Sequence, residues 1–362
     1  MERKNYEQIA KKKFESLQEK IKNNQDVFIL GIESSCDETS ISVVKNGREI
    51  LSNIVASQIP IHKRFGGVVP EVASRNHILA IDKIFHQALD ESGCQIENID
   101  AIAVTYGAGL MGALLVGVNF AKALAYSLEL PLIAVSHIKG HIAANYISHT
   151  NLEPPFICLM VSGGHTAILH INDYNSQKLI GTTIDDAAGE AFDKVARILG
   201  LGYPGGIEID KLAKKGKNDI KFIKHNSLKD SFDFSFSGIK TAVINYVHNF
   251  KQKQTEISNE QKQDICASFQ KFVVSELTEK TIRACCEVGA EKIVVAGGVG
   301  ANSQLRDELA KLGADKNKKV FFPVLSLCTD NAAMIASAGF YLIKDGLGLS
   351  DLSLTAKPTV SL

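Results

Sequence analysis

FICLMVSGGHTAILHI, residues 156–171, runs apolar from Phe156 to Val161, breaks at Ser162, Gly163 and Gly164, and resumes from Thr166 to Ile171. An apolar run, a small polar turn and a second β-branched run is the pattern of two strands joined by a tight turn. The same pattern occurs earlier, as Phe28 to Ile32, then Glu33, Ser34, Ser35, Cys36 and Asp37, then Ser40 to Val44. The repetition predicts an internal duplication in which each half opens on a hairpin whose turn offers backbone N–H groups. Two similar hairpins arising independently is the plainer reading of the same letters.

On either side of this stretch, short β-branched runs alternate with longer helical ones, as in an α/β architecture. Strands are predicted at 27–32, 41–44, 49–55, 101–105 and 132–135. Helices are predicted over 76–92, where Ile78, Ile81, Phe85 and Leu89 share a face, and over 112–128. A third strand with a glycine turn, Lys292 to Ala296 then Gly297, Gly298, Val299 and Gly300, leads to a helix near Asn302. Helix starts after glycine turns receive anions well. Three such turns suggest a nucleotide or acyl-phosphate cleft between two lobes.

A length of 362 residues suits two lobes, and with 45% apolar and 22% charged residues the chain has a core to bury, which excludes disorder. No apolar run of about 18 residues is apparent, so no spanning helix is expected. Forty basic residues offset forty acidic ones, so RNA contact would have to use local patches. The lysine-rich stretch 211–229 (Lys211, Lys214, Lys215, Lys217, Lys221, Lys224, Lys229) is the best candidate for one, although a charge run is usually a solvated face. The stretch from Phe250 to Gln263 reads as a solvent-facing excursion. Seven cysteines without a C-x-x-C pair read as reduced thiols of a cytoplasmic protein. The first 26 residues form a basic extension without the apolar core of a secretion signal. Tyr6, Ile9, Phe14, Leu17 and Ile21 recur near helical spacing there, but a solvated extension is the preferred reading.

His137 and His141 follow a strand at i and i+4, so a helix starting there would put both imidazoles on one face, a spacing that can chelate a divalent cation. Accidental pairing is an even alternative. Peptide hydrolysis of the zinc-protease kind needs Glu directly after the first His, and Ile138 stands there instead. Asp330 is an attractive third ligand, with a helix N-cap as its plainer role. Two His and one carboxylate suit iron(II) or zinc. Asp193 and Asp210, near turns rich in small residues, suit the hydroxyls of a ribose or equally the surface of a helix.

Taken together, GIESSCDET (31–39), GGVVPEVASRNH (66–77), PLIAVSHIKGH (131–141), VSGGHT (161–166), the run 185–194, YPGG (203–206), SFSGIKT (235–241), GGVGAN (297–302) and CTDN (328–331) resemble the tRNA adenosine threonylcarbamoyltransferases, the bacterial TsaD family formerly described as O-sialoglycoprotein endopeptidases. The match runs from Ile29 to about Leu347. The resemblance implies an actin, sugar kinase and Hsp70-like fold, two duplicated α/β lobes around a central cleft, with the lobes at 27–149 and 150–347, the second carrying substrate and metal contacts, and a tail at 348–362. It implies a metal on His137, His141 and Asp330, iron(II) favoured and zinc possible. Contacts to threonylcarbamoyl-AMP would fall on Met160, Val161, Ser162, Gly163, Gly164, Asp193, Gly206, Asp210 and Asn302. The implied activity moves the threonylcarbamoyl group of that adenylate to the amine of the adenosine beside the anticodon, position 37, of tRNAs that read codons starting with A, releasing AMP. Implied partners are tRNA, a related TsaB-like subunit, which would pair through 66–77 and the following helix, and a TsaE-like ATPase; no membrane is implied. Ile207 stands where the family often has Pro, and no general base is identified. Two rivals remain: a small-molecule kinase or ATPase of the same fold, with Asp37 near its phosphate, and an actin-like or chaperone-like scaffold.

Overall fold

Strands with no polar face decide the layering. In β1 (Phe28–Glu33) and β4 (Ala101–Gly107) nearly every residue is buried, so both faces of their sheet must be covered. A computed structural model of the chain describes residues 3–222, 228, 230–253 and 257–360. It divides into two units, one made of Met1–Ile61, Val68–Glu153 and Thr329–Leu362, the other of His62–Gly67 and Pro154–Cys328.

In the first unit, β1 pairs antiparallel with β2 (Glu38–Lys45), which pairs antiparallel with β3 (Glu49–Ser57). On its other side β1 runs parallel to β4, and β4 parallel to β5 (Leu132–Ser136). The edge strand β11 (Leu349–Ser350) gives the order β11-β5-β4-β1-β2-β3. Leu30, Ile32, Ile102, Val104 and Leu132 share a core with Ile81, Ile84 and Phe85 of α3 (Pro70–Ser92) and Val118 and Ala121 of α4 (Met111–Leu128). The opposite face carries α11 (Ala332–Lys344), against which α5 (His137–Ser148) packs. Gly31 makes that approach possible: a Cβ there would lie 2.2 Å from the Ala332 carbonyl oxygen.

The second unit repeats the plan. β6 (Phe156–Val161) pairs antiparallel with β7 (Thr166–Asp173), and β7 with β8 (Ser176–Thr182). β6 also runs parallel to β9 (Lys292–Ala296), and β9 to β10 (Lys319–Phe321), giving β10-β9-β6-β7-β8. Strand for strand this is the order β5-β4-β1-β2-β3 of the first sheet, so the duplication read from the two hairpins is present as topology. Its helices are α6 (Ala188–Ile198), α7 (Gly205–Ala213), α8 (Ser237–Lys253), α9 (Asn259–Val288) and α10 (Ser303–Asp315). The long α9 starts on a capping box between Ser258 and Gln261 and buries Phe269, Val273 and Leu277 in the core shared with β6 and β9. One turn of helix, α2 (Ile59–His62), joins the units.

Three expectations are corrected. Residues 3–22 form a helix, α1 (Arg3–Lys22), rather than a solvated extension. Tyr6, Ala10, Phe14 and Leu17, spaced four, four and three apart, are all buried, and the Tyr6 hydroxyl donates to the Leu130 carbonyl at 3.0 Å. Lys20 closes the far end on Asp100 at 2.7 Å. The boundary at 347 also moves, because α11 packs on β1 and β11 pairs with β5, so the chain returns to the first unit at Thr329. Finally, α4 does reach the length and mean hydropathy, 1.4, of a bilayer-crossing helix. Its apolarity serves packing, since Ala113, Leu114, Val118, Ala121 and Ala125 are buried.

Tyr6 thus anchors α1 by both its ring and its hydroxyl. Tyr6→Ala should lower the free energy of unfolding by about 3 kcal/mol in denaturant titration, because a buried aromatic and its hydrogen bond go together. A change below about 0.5 kcal/mol would mean that the helix is an appendage.

Candidate functional site

The strand β5 ends at Ser136 and α5 begins at once, so His137 and His141 face the same way, one turn apart. Their rings stand edge to face with centroids 4.5 Å apart. Asp330, just before α11, reaches both: its Oδ1 lies 3.3 Å from Nε2 of His137 and 3.3 Å from Nε2 of His141. The cap of α11 is Asn331, whose side chain accepts from the Met334 N–H, so Asp330 is free of the capping role. Three potential ligand atoms therefore lie within 4.8 Å of one another, two of the residues buried and Asp330 half-buried.

Glu33, at the end of β1, organises this cluster. It is fully buried and accepts from the Ser35 N–H and from the Thr105 hydroxyl at 2.6 Å. Its Oε2 lies 3.1 Å from His137 Nδ1, and Ser35 Oγ lies 3.1 Å from the same nitrogen. The Nδ1 contact with Glu33 turns Nε2 toward Asp330 and His141, so that a cation there would take the place of the Nε2 proton, as in a carboxylate–histidine–metal triad. Burial alone would raise Glu33 and Asp330, but the imidazoles outweigh it and hold both carboxyls below their ordinary range. Burial opposes charge on His137 too, yet Asp330 and Glu33 push it well above the ordinary imidazole value. Nδ1 of His141 is buried without a hydrogen-bond partner among the described residues. Two imidazole nitrogens and a carboxylate oxygen, with one imidazole already oriented from behind, fit a divalent first-row metal.

The second unit holds the other predicted site residues. Met160 and Val161, the last two residues of β6, are fully buried, with Val161 in the core of this unit. Ser162 closes the hairpin, its N–H donating to the His165 carbonyl and its hydroxyl accepting from the His165 N–H. Gly163 and Gly164 are exposed, with nothing within 4 Å of where a Cβ would stand. The turn then receives the start of α6: the Gly189 N–H donates to the Ser162 carbonyl, and the Ala188 N–H to the Thr166 hydroxyl. Gly297, at φ +97°, lies against Val161, where a Cβ would meet the carbonyl oxygen at 2.5 Å.

Asp193 turns out to position α7, accepting from the Gly205 N–H at 2.7 Å. Arg197, one helical turn further along α6, donates to the Gly66 carbonyl. Gly206 follows in the first turn of α7, and Asp210 sits one turn on. Asp210 accepts from Ser303 at 2.8 Å and from Gln270 at 3.0 Å, and pairs with Lys214 at 3.3 Å. Gln270 also accepts from the Asn302 amide at 2.8 Å, while Asn302 caps α10 at Leu305. The SGG turn, the starts of α6 and α7 and the loop before α10 thus form one connected surface beyond the carboxyl ends of the parallel strands β6 and β9. Glycine turns and helix starts at that end of a parallel sheet suit a nucleotide.

Sequence reading missed two residues. Glu33 lay inside the quoted GIESSCDET without a role, and its only signal was a carboxylate at the end of an apolar strand. Gln270, 1% exposed on α9, is the link between Asp210 and Asn302, and a polar residue in a buried helix stripe was its signal.

Paired units of this topology, one with a His-His-Asp cluster and one with glycine turns at the strand ends, define a protein of the actin, sugar kinase and Hsp70 fold class. The structure resembles HypF of T. kodakarensis (TM-score 0.57, 16% identity, 91% of this chain and 49% of that one) and component A of the Acidaminococcus fermentans (R)-2-hydroxyglutaryl-CoA dehydratase (TM-score 0.52, 15% identity, 88% and 98%). Residues 49–337 match the family described as TsaD: tRNA N6-adenosine threonylcarbamoyltransferase. A protein of that name from Clostridium perfringens is 58% identical over 336 residues, 92% of this chain and 98% of its own length, and one from Clostridium beijerinckii is 55% identical over the same span. The chain belongs to the TsaD family of tRNA N6-adenosine threonylcarbamoyltransferases.

Beside the cluster, Glu38 on β2 is buried and accepts from the Ser57 hydroxyl at 3.1 Å. Burial, with Asp330 and Asp37 nearby, pushes its pKa from the ordinary 4.5 up to about 10. Between those values the folded state keeps a proton that the unfolded chain has lost, so this contribution to stability falls as pH rises, at most by roughly 1.4 kcal/mol per pH unit. Glu38→Gln keeps an acceptor for Ser57 and cannot ionise. In metal-free protein it should match the wild type at pH 5 and exceed its melting temperature at pH 8; parallel profiles would show that Glu38 carries no such proton.

Proposed function

We propose that this chain transfers the threonylcarbamoyl group of threonylcarbamoyl-AMP to the exocyclic amine of the adenosine beside the anticodon in tRNAs reading codons that start with A. The amine nitrogen forms a bond to the carbamoyl carbon and gives up one proton to solvent, the bond from that carbon to the phosphate oxygen breaks, and AMP leaves with its electron pair. The family match over most of the chain carries this reading, and the kinase and scaffold alternatives lose their support with it.

An exocyclic adenine amine is a weak nucleophile, so placement and charge stabilisation must supply much of the rate. The second unit offers the adenylate its exposed Gly163–Gly164 backbone and the Asp210 carboxylate, whose oxygens are oriented by Ser303 and Gln270. Asp210 would hold ribose hydroxyls there, while Asp193 keeps the α7 start in position. In the first unit His137, His141 and Asp330 would hold one divalent cation, iron(II) favoured over zinc. A cation held there would supply Lewis acidity. Glu33 and Ser35 keep His137 turned toward it. A tRNA substrate and seven free thiols fit a cytoplasmic setting.

The related TsaB-like subunit would dock on α3. Ile81 and Phe85 of the expected stripe face their own core, leaving Ile78, 63% exposed, and Leu79, 80% exposed, as the apolar contacts. A TsaE-like ATPase would complete the assembly.

Reconstitution with tRNA, threonine, bicarbonate, ATP and the partner that makes the adenylate tests the reaction: modified adenosine is expected, and its absence under conditions where a relative is active would end the proposal. Protein purified without chelators or added metals should carry one iron or zinc. Asp330→Ala should lose both metal and transfer, and Glu33→Gln should weaken metal binding about 10- to 100-fold; full occupancy in Asp330→Ala would remove that carboxylate from the ligand set. Leu79→Glu should release the TsaB-like subunit on a sizing column, and an unshifted complex would place that interface elsewhere.

A further inference from the structure

The helix α7, which presents Asp210, continues into lysines, and these line a cavity. Leu201, Lys211, Leu212, Lys215 and Lys262 border a volume of about 530 Å³ between the end of α7 and the first turn of α9. Glu208, Lys211 and Leu212 share one face of α7 at three- and four-residue spacing, and Lys215 follows in the turn after the helix, so all four border the opening. Lys211 is paired with Glu208 at 3.0 Å, and Lys214 reaches back to Asp210 at 3.3 Å. Among the described residues no ion pair is formed by Lys215 or Lys262. The wall therefore carries four lysines against one glutamate, in a chain whose formal net charge is zero. Of the wider lysine run, Lys224 and Lys229 lie outside the described residues.

We propose that this lysine-lined cavity receives the phosphate backbone of the tRNA. The inference rests on the transferase reading and adds to it a surface. A neutral protein that binds a polyanion must collect positive charge at one place, and here the collection begins one helical turn beyond Asp210. The acceptor adenosine must come to the adenylate held at that carboxylate, and it arrives as part of a continuous phosphate chain, so its neighbouring phosphates must pass close to the same helix. Lysines are mobile point charges that accept phosphates without fixed geometry, and the two leucines give the opening an apolar floor.

The test uses the assembled complex with Lys215→Glu and Lys262→Glu combined, and Lys316→Glu as a surface control outside the cavity. Unmodified tRNA binding is measured across a salt series, and transfer across tRNA concentrations. The double variant should bind tRNA at least tenfold more weakly, with a salt dependence shallower by one to two in log–log slope, about one for each phosphate no longer neutralised. The weakening should appear in KM for tRNA rather than in kcat at saturating tRNA. An affinity and slope equal to those of the control would overturn the proposal. So would unchanged tRNA binding with loss of a subunit on a sizing column, which would assign the lysines to an acidic protein surface. Binding is read independently of transfer, so a wild-type complex that modifies no tRNA would refute the reaction without deciding the surface, which the binding arm decides alone.

Discussion

The approach of α11 to β1 is the contact on which the first unit depends. It needs a residue without a side chain in the middle of a strand, and Gly31 supplies it, with the Ala332 carbonyl directly above. Asp330 precedes that helix by two residues, so the same contact that seals one face of the sheet carries a carboxylate to the end of β5, where His137 and His141 begin α5. The capping bond from Asn331 to Met334 fixes where α11 starts and hence where Asp330 stands. The packing of the sheet and the placing of a carboxylate beside two imidazoles are thereby both set by one short segment.

The duplicated sheets show how one plan takes two kinds of chemistry. At the end of β1 the chain closes on itself: Glu33 and Ser35 spend their polar atoms on His137, Thr105 and their own backbone. At the equivalent end of β6 it opens, with Ser162 tied into the turn and two glycines left bare. The first arrangement orients an imidazole from behind, and the second leaves main chain accessible from in front. Topology fixes where such loops fall, whereas side-chain size decides what they do.

Much of this was legible in the letters. The paired hairpins announced the duplication because strand periodicity and turn residues are local properties, and the i, i+4 spacing announced that the two histidines share a helix face for the same reason. The place of Asp330 beside the two imidazoles was readable only as one alternative, since the cap that competed for it is filled by the next residue, Asn331. The burial of α1 escaped because four apolar positions among lysines and glutamates give a weak stripe, and the surface that accepts Tyr6 is made by Leu130 and Tyr126, far away in sequence. The return of residues 329–362 to the first unit escaped for a like reason: pairing of β11 with β5 spans most of the chain and leaves no local trace. Gln270 and Glu33 were unreadable as functional because their partners are assembled by tertiary contact alone.

That return has a consequence for the order of events during synthesis. The first unit is discontinuous, and the second unit is made entirely within the interruption, apart from the short piece at 62–67. Emerging from the ribosome, β1 to β5 present the face around Gly31, Ala103 and Ile133 uncovered until α11 has been made. Domains generally fold as units, N-terminal parts first. Here the earlier-born unit must wait for the later-born one to be complete, so the His-His-Asp cluster closes last, and a chain truncated before Thr329 would own both histidines but not the carboxylate that faces them.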